Sequence, residues 1–183
     1  AGGITLLVNL LDPEGCKAEQ GAPLDAPPSE PVQMQKDLAS AIWSMANNDA
    51  SNQTAIAEAG GIQPLIALLD GHPVLHHDVA GALWSLSYNS DNQLAIARSN
   101  GIQPLVFLVK DGSKDAQETA AGAIAKLSEV AANREAIAAE DGIPSLVAIL
   151  GRGSEEGKQQ SAGALRMLAV NNASNQQAIA NAL

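Results

Sequence analysis

Two tryptophans are the side chains of this sequence best suited to binding another molecule. Trp43 and Trp84 occupy matching places in successive segments of the chain, and the flat face of a tryptophan packs well against the aliphatic stem of a lysine or arginine. Both could instead be core residues. Because Ala41, Ile42 and Met45 already form the apolar stripe of the predicted helix around Trp43, we expect the tryptophans to face a groove.

Three histidines lie close together shortly before Trp84. His72 and His76 stand at positions i and i+4, a spacing that could hold a metal ion if both were helical. Pro73 between them predicts that His72 precedes the helix, so we expect solvated side chains and a helix cap here and no metal site. His77 could still line the groove.

No arrangement typical of catalysis occurs in the sequence. It contains no phosphate-binding glycine loop, nucleophile elbow or spaced Cys and His cluster, and no acidic pair whose placement demands acid–base chemistry. Cys16 stands apart from any recognisable base and is expected to be an incidental exposed thiol. The sequence therefore predicts a protein that is not an enzyme and that uses no cofactor or metal.

The charge distribution favours a basic partner. The net charge is −10, which repels nucleic acid and anionic membrane surfaces. Residues 1–91 carry 11 acidic and 2 basic side chains, net −9, whereas residues 92–183 carry 9 and 8, net −1. Electrostatic attraction of a basic protein or peptide should therefore act mainly through the first half.

The composition favours closely packed helices in a reducing compartment. Hydrophobic residues make up 46 % of the chain and aromatic residues only 2 %, which favours helices over a β-sandwich. The single cysteine excludes an internal disulfide framework and predicts the cytoplasm, and also the nucleus, as the location. No apolar run approaches the roughly 18 residues that span a bilayer, so membrane insertion is not expected.

Two short patterns recur along the sequence with one period. The pair Gly-Ile occurs at residues 3–4, 61–62, 101–102 and 142–143. An asparagine followed by Ala-Ile-Ala recurs at Asn52, Asn92, Asn133 and Asn175. A shared period of roughly 40 residues is typical of stacked helical repeats.

Each period is predicted to contain three helices. The first begins at the repeated asparagine, interpreted as an N-cap. It closes near Gly60-Gly61, Asn100-Gly101 or Asp141-Gly142, where glycine tolerates a left-handed conformation. The second carries an apolar stripe such as Leu65, Ile66, Leu68 and Leu69. The third repeats an Ala-Leu or Ala-Ile pair preceded by Gly81, Gly122 or Gly163. Glycine is unfavourable in the middle of a helix, and we expect close approach of helices to be the reason for it here.

The sequences of these helices resemble the armadillo repeat family. The resemblance rests on Gly-Ile-Gln-Pro-Leu-Ile-Ala-Leu-Leu at residues 61–69 and Gly-Ala-Leu-Trp-Ser-Leu-Ser at residues 81–87, and it covers nearly the whole chain. The related two-helix HEAT repeat fits less well, since it lacks the short first helix. Residues 162–169, Ala-Gly-Ala-Leu-Arg-Met-Leu-Ala, are similar to armadillo domains of vacuolar and U-box-associated proteins.

The resemblance implies an all-α, right-handed α-α superhelix of about four three-helix repeats with truncated ends. The expected units of this single domain, residues 1–183, are residues 1–50, 51–91, 92–132 and 133–173, followed by a leftover first helix at 174–183. The first unit lacks its first helix and contains an inserted loop, residues 14–31, rich in proline and glycine. We expect that loop to be mobile and either a tolerated insertion or a docking arm.

Armadillo solenoids bind extended peptides along a groove lined by successive third helices, where an aromatic and, one turn later, an asparagine form a ladder. Trp43 with Asn47 matches this ladder in full, and Trp84 is followed by Tyr88. Ala125 with Glu129 and Arg166 with Val170 depart from it, which argues against recognition of nuclear localisation signals. The predicted groove residues are Trp43, Asn47, His77, Trp84, Tyr88, Glu118, Glu129 and Arg166.

The function implied is a protein–protein interaction scaffold or adaptor. Alternatives are the substrate-recognition arm of a larger enzyme such as a ubiquitin ligase, a nuclear import receptor-like peptide binder, and a purely structural assembly element. Apolar residues at the two ends, such as Leu10 and Ile179, also predict head-to-tail self-stacking.

Overall fold

Helices joined by short turns make up residues 2–16 and 27–183, the parts of the chain that the computed structural model describes. The helices are α1 (Gly2–Asn9), α2 (Pro13–Cys16), α3 (Glu30–Ala46), α4 (Ala50–Glu58), α5 (Ile62–Leu68), α6 (His76–Leu86), α7 (Ser90–Arg98), α8 (Ile102–Asp111), α9 (Lys114–Leu127), α10 (Ala131–Ala139), α11 (Gly142–Arg152), α12 (Glu155–Ala169) and α13 (Ala173–Ala182). A short 3-10 helix, Pro73–Leu75, precedes α6. The prediction of an all-α fold is confirmed. Among the described helices, none has the length and apolar character required to cross a membrane.

The third helices of successive units pack side by side. In chain order these are α3, α6, α9 and α12, and each contacts the next. We call the layer that they form the third-helix layer. The second helices α5, α8 and α11 each pack against the third helix of their own unit.

The core between these layers consists of the predicted apolar stripes. The fully buried side chains on the second helices include Leu65, Leu68, Leu105, Leu108 and Leu146. They meet third-helix residues such as Leu83, Ile124 and Leu168, which are fully buried as well. The stripes were predictable because one face of each helix is apolar at helical spacing.

The prediction that the repeated asparagines are N-caps is wrong. The helices α4, α7 and α13 are capped three residues earlier, by Asp49, Asn89 and Asn172. Their side chains accept hydrogen bonds from the main-chain N–H of the repeated asparagine. The helix α10 begins after Val130, which has no side-chain cap.

Each repeated asparagine instead reaches back to the end of the preceding third helix. Its side-chain amide donates to a carbonyl there: Asn52 to Met45 (2.9 Å), Asn92 to Leu86 (3.1 Å), Asn133 to Leu127 (3.0 Å) and Asn175 to Leu168 (3.0 Å). The following residue donates to the next carbonyl along: Gln53 to Ala46 (2.9 Å), Gln93 to Ser87 (2.8 Å), Arg134 to Ser128 (3.2 Å) and Gln176 to Ala169 (2.8 Å). The last carbonyls of a helix have no donor partner within it, so this pair, which we call the corner clamp, satisfies them.

The corner clamp also joins neighbouring units. Asn92 donates to the carbonyl of Gln53 at 3.1 Å, and Asn175 donates to that of Arg134 at 3.4 Å. The guanidinium of Arg134 also reaches the carbonyl of Val170 at 3.2 Å. The clamp therefore fixes the turn from each third helix to the first helix of the next unit, and with it the stacking of units.

The left-handed residue at the end of a first helix is a glycine, as predicted, only after α4. Gly60 is left-handed with φ 83°, but in the next two units Asn100 and Asp141 hold this conformation, both with φ 59°. The following glycines are required for space, because a Cβ on Gly101 or Gly142 would lie 2.7 or 2.6 Å from an isoleucine methyl of the helix just ended.

The predicted loop at residues 14–31 is helical at both ends. Its first residues belong to α2, and α3 begins at Glu30 with Pro31 in its first turn, where a missing N–H is tolerated. Gln35, buried in α3, donates to the carbonyl of Leu10 and accepts from the N–H of Asp12. Of the residues predicted to be mobile, 14–31, residues 17–26 lie outside the described residues, as does the side chain of Cys16.

Apolar side chains are exposed on α1 and directly after α13. Leu6 is 60 % exposed and Leu183 80 % exposed. Leu11, by contrast, is buried, and Ile179 is half-buried. Head-to-tail self-stacking stays a prediction.

Replacing Asn92 with alanine should lower the free energy of unfolding. The substitution leaves the buried carbonyls of Leu86 and Gln53 without this donor, and an unsatisfied buried polar group costs about 1–3 kcal/mol. Urea denaturation followed by circular dichroism measures the loss. Ser90→Ala, at an exposed position of the same helix, should change stability by no more than about 0.5 kcal/mol. Equal effects of the two substitutions would contradict the role of the clamp.

Candidate functional site

The predicted site residues all lie on or beside the third-helix layer. Trp43 belongs to α3, His77 and Trp84 to α6, Glu118 to α9 and Arg166 to α12, while Asn47, Tyr88 and Glu129 follow the ends of α3, α6 and α9. The structure distributes them along the layer and does not gather them at one point.

Each tryptophan packs against a glycine of the next third helix. A Cβ on Gly81 would lie 2.5 Å from Cδ2 of Trp43, and one on Gly122 would lie 2.6 Å from Cε2 of Trp84. Real Cβ atoms essentially never come so close, so only glycine admits the indole rings. We call these two contacts the Trp–Gly pairs.

The Trp–Gly pairs explain the mid-helix glycines differently from the prediction. Helix backbones were expected to approach each other there, but the space is filled by an indole from the preceding unit. In the third equivalent place Ala125 stands where tryptophan would be, and a Cβ on Gly163 would meet no atom within 4 Å. That place is open.

Burial of the tryptophans lies between the two alternatives, core residue and exposed groove residue, and their binding role stays a prediction. Trp43 and Trp84 are half-buried and pack against the core. One part of each ring lies against glycine, and another part remains exposed on the layer. Each indole therefore contributes to stacking and to the surface at once.

His77 lies at the Trp43 end of the layer. Its ring meets that of Trp43 edge-on, with centroids 5.1 Å apart and an interplanar angle of 78°. Its Nδ1 is 3.2 Å from the main-chain oxygen of Asp115 in α9. A cavity of about 330 Å³ adjoins it, lined by Lys36, Pro73, Val74, His77, Asp78, Ser113 and Asp115. His77 thus connects three successive third helices.

Tyr88 already has a cation of its own chain beside it. The side chain is 54 % exposed, and Nζ of Lys126 lies 4.3 Å from the centroid of its ring. The same ammonium pairs with Glu129 at 2.9 Å, whose other carboxylate oxygen accepts from Gln93 at 3.0 Å. Sequence reasoning identified Tyr88 and Glu129 but missed Lys126, which occupies the cation position between them.

Asn47 is the C-cap residue of α3. Its main-chain N–H donates to the carbonyl of Trp43 at 3.0 Å, and its side chain is exposed. Asn47 therefore caps the helix through its main chain. The exposed side-chain amide is placed one turn after Trp43 and can still bind a ligand.

The last two predicted residues differ in accessibility. Glu118 is half-buried between α9 and α12, where it accepts a hydrogen bond from the hydroxyl of Ser154, the N-cap of α12. It therefore contributes to contact between helices. Arg166 is exposed on α12, one turn after Gly163.

The expectation that the neighbouring histidines are solvated is wrong. His72 is fully buried and His76 is 9 % exposed. His72 does act as a cap, as expected, since its Nδ1 accepts from the N–H of Val74 at 3.1 Å. Burial lowers the pKa of His76 below its usual value of 6.5, and the carbonyls of Leu69 and Gly71 only partly oppose this. The described residues form no group of three or more His, Cys, Asp or Glu side chains suited to a metal ion.

One part of the chain matches a known family. Residues 89–129 match the armadillo/beta-catenin-like repeat family. No curated protein matches the chain.

Solved structures resemble the whole chain. A designed armadillo repeat protein in complex with the peptide (KR)4 is 23 % identical, with a TM-score of 0.81 over 99 % of this chain and 70 % of that one. A computationally designed armadillo repeat protein for modular peptide recognition is also 23 % identical, with a TM-score of 0.82 over 99 % and 71 %. An engineered protein is 26 % identical, with a TM-score of 0.84 over 98 % of this chain and 40 % of that one.

Alanine at Gly122 and at Gly163 should have opposite effects on stability. At Gly122 the added methyl group would collide with Trp84, and overpacking costs about 1–3 kcal/mol. At Gly163 there is room, so the better helix propensity of alanine should raise the free energy of unfolding by up to about 1 kcal/mol. Urea denaturation of both variants tests this. Effects of the same sign would show that the tryptophan does not require the glycine.

Proposed function

Because the chain is an armadillo-repeat solenoid, we propose that it is a protein-interaction scaffold that binds an extended basic segment of a partner along the third-helix layer. The observation that carries this proposal is the pair of half-buried tryptophans on the adjacent third helices α3 and α6. Packing against Gly81 and Gly122 holds both rings in place before any ligand arrives. Binding to such a preorganised surface loses less side-chain entropy.

The charge of the chain supports a basic partner. The net charge is −10, and the first half, which contains both tryptophans, has a net charge of −9. An acidic surface raises the rate at which a cationic segment arrives. The exposed part of each indole would then pack against the aliphatic stem of a lysine or arginine.

The similar structures support the same class of ligand. One of the designed armadillo proteins binds the peptide (KR)4, and another was designed for modular peptide recognition. At 23 % identity these likenesses establish the fold, and the binding role of this chain rests on its own tryptophans.

The contacts around Tyr88 restrict where a basic segment can bind. Lys126 lies over the Tyr88 ring and pairs with Glu129, so a cation of the partner would have to displace it. Trp43 and Trp84 are the sites that remain open. We therefore expect the partner to use the tryptophans first.

Trp84→Ala should weaken binding of a (KR)4 peptide about tenfold, because an aromatic anchor is lost. Fluorescence anisotropy of a labelled peptide measures the affinity, and circular dichroism confirms that the variant is folded at the temperature used. Binding to the unchanged chain should also weaken between about 0.01 M and 0.15 M salt, as the Debye length falls from about 30 Å to about 8 Å. An acidic peptide of equal length is the control. A folded Trp84→Ala variant with full affinity would contradict the proposal.

Lys126→Ala should strengthen binding of the same peptide several-fold. The substitution frees the Tyr88 ring and the Glu129 carboxylate for a cation of the peptide, and a cation–π contact contributes about 0.5–2 kcal/mol. Lys158→Ala is the matched control, because Lys158 also pairs with a glutamate one turn away at 2.9 Å but contacts no described aromatic ring. If both substitutions changed the affinity equally, general charge and not the Tyr88 site would be responsible.

A further inference from the structure

A second cavity lies between the second and third units, beside the third-helix layer. Its volume is about 450 Å³, within the range of ligand sites in proteins. It is lined by the turn after α5 (Leu69, Asp70, Gly71), by Pro73 and His76, by one face of α8 (Gln103, Pro104, Phe107, Asp111) and by Gly112 and Ser113. None of the groove residues discussed above belongs to it.

The walls of the cavity combine apolar surface with negative charge. Phe107 is 56 % exposed although it is large and apolar, and Leu69, Pro73 and Pro104 extend the apolar wall. Asp70 and Asp111, both exposed, contribute one carboxylate from each of the two units. Among the described lining residues there is no lysine or arginine to neutralise them.

His76 adds a polar atom without a partner. It is only 9 % exposed, and its buried Nε2 forms no hydrogen bond with the described residues. Leaving a buried polar atom unsatisfied is costly. Burial lowers the pKa of His76, so its imidazole adds no positive charge beside the two carboxylates.

The acidic and aromatic residues of the cavity wall do not recur in the next pair of units. There, one repeat further along, Lys110 and Arg152 stand at the positions of Asp70 and Asp111. Ala148 stands at the position of Phe107. Both charges are reversed and the aromatic ring is absent, so the fold alone does not require the acidic, aromatic wall.

The cavity borders the smaller cavity beside His77. Pro73 and Ser113 line both this cavity and the smaller cavity beside His77 and Trp43. A polypeptide that lies along the third-helix layer at Trp43 therefore passes next to the cavity. A side chain of that polypeptide can enter it over Pro73 and Ser113.

We propose that this cavity binds an arginine side chain of the basic segment bound on the third-helix layer. This inference rests on the proposed function, which supplies the basic segment. The residues that line the cavity supply the reason why an arginine is the side chain bound. The planar guanidinium has several N–H donors, which suit the exposed carboxylates of Asp70 and Asp111. Its face stacks on Phe107 as a lysine ammonium cannot. The volume admits the residue next to the arginine as well.

The experiment measures amide chemical shifts of the full chain by NMR while N-acetyl-arginine amide is added. N-acetyl-citrulline amide, uncharged and nearly the same shape, is the control ligand. The arginine compound should shift the amides of Gly71, Gly112 and Ser113, with a dissociation constant on the order of millimolar, as expected for so small a ligand. The citrulline compound should not.

Three variants test the wall of the cavity. Asp111→Asn and Phe107→Ala, both at exposed positions, should each weaken binding of the arginine compound about tenfold or less, in line with loss of one charged hydrogen bond or one stacking contact. Asp70→Lys with Asp111→Arg, which installs the residues of the next repeat, should abolish it. Asp91→Asn, an exposed acid outside the cavity, should leave it unchanged.

The outcomes separate this inference from the proposed function. Equal shifts with arginine and citrulline compounds, or no shift at the cavity, would overturn the inference whether or not (KR)4 binds at Trp84. Arginine-specific shifts with no effect of Phe107→Ala on the affinity for (KR)4 would show a site for free cations and would overturn the partner side chain as its occupant. Arginine-specific shifts together with at least a threefold loss of (KR)4 affinity in Phe107→Ala, roughly what one stacking contact contributes, would support it.

Discussion

The carbonyl groups at the end of each third helix are the constraint on which the rest of the structure depends. These groups need donors, and the corner clamp supplies them from the first helix of the next unit, as Asn92 does for Leu86. The same side chain also donates to the preceding first helix, at Gln53. One amide group therefore determines both the turn between helices and the stacking of units. The third-helix layer has its geometry because this corner recurs.

The Trp–Gly pairs build on that geometry and restrict what the surface can offer. The ring of Trp43 fits only because Gly81 has no side chain, and that of Trp84 only because Gly122 has none. Part of each indole is used in packing, so a ligand can contact only the remainder. Stability and binding are coupled through the same rings, which is why removal of a tryptophan must be examined for both.

The repeat, the all-α fold and the apolar stripes were predictable from sequence because they depend on local periodicity. The role of Asn92 was not, since its acceptors lie in the preceding helix and in the preceding unit, and a local reading of the helix start makes it an N-cap. The glycines were recognised as unusual, but their partners belong to the preceding unit, as Trp43 does for Gly81. Lys126 was missed because nothing in its own helix indicates that it lies over Tyr88.

Ala125, which stands where a tryptophan would continue the series, makes the units of the third-helix layer unequal. On a surface of identical units, a repetitive ligand would bind equally well after a shift by one unit. The bound ligand would then be distributed over several registers. Here a shift by one unit exchanges the indole of Trp84 for the empty place above Gly163. The registers are then unequal in energy. A departure from the repeat thus supplies the positional information that perfect repetition cannot.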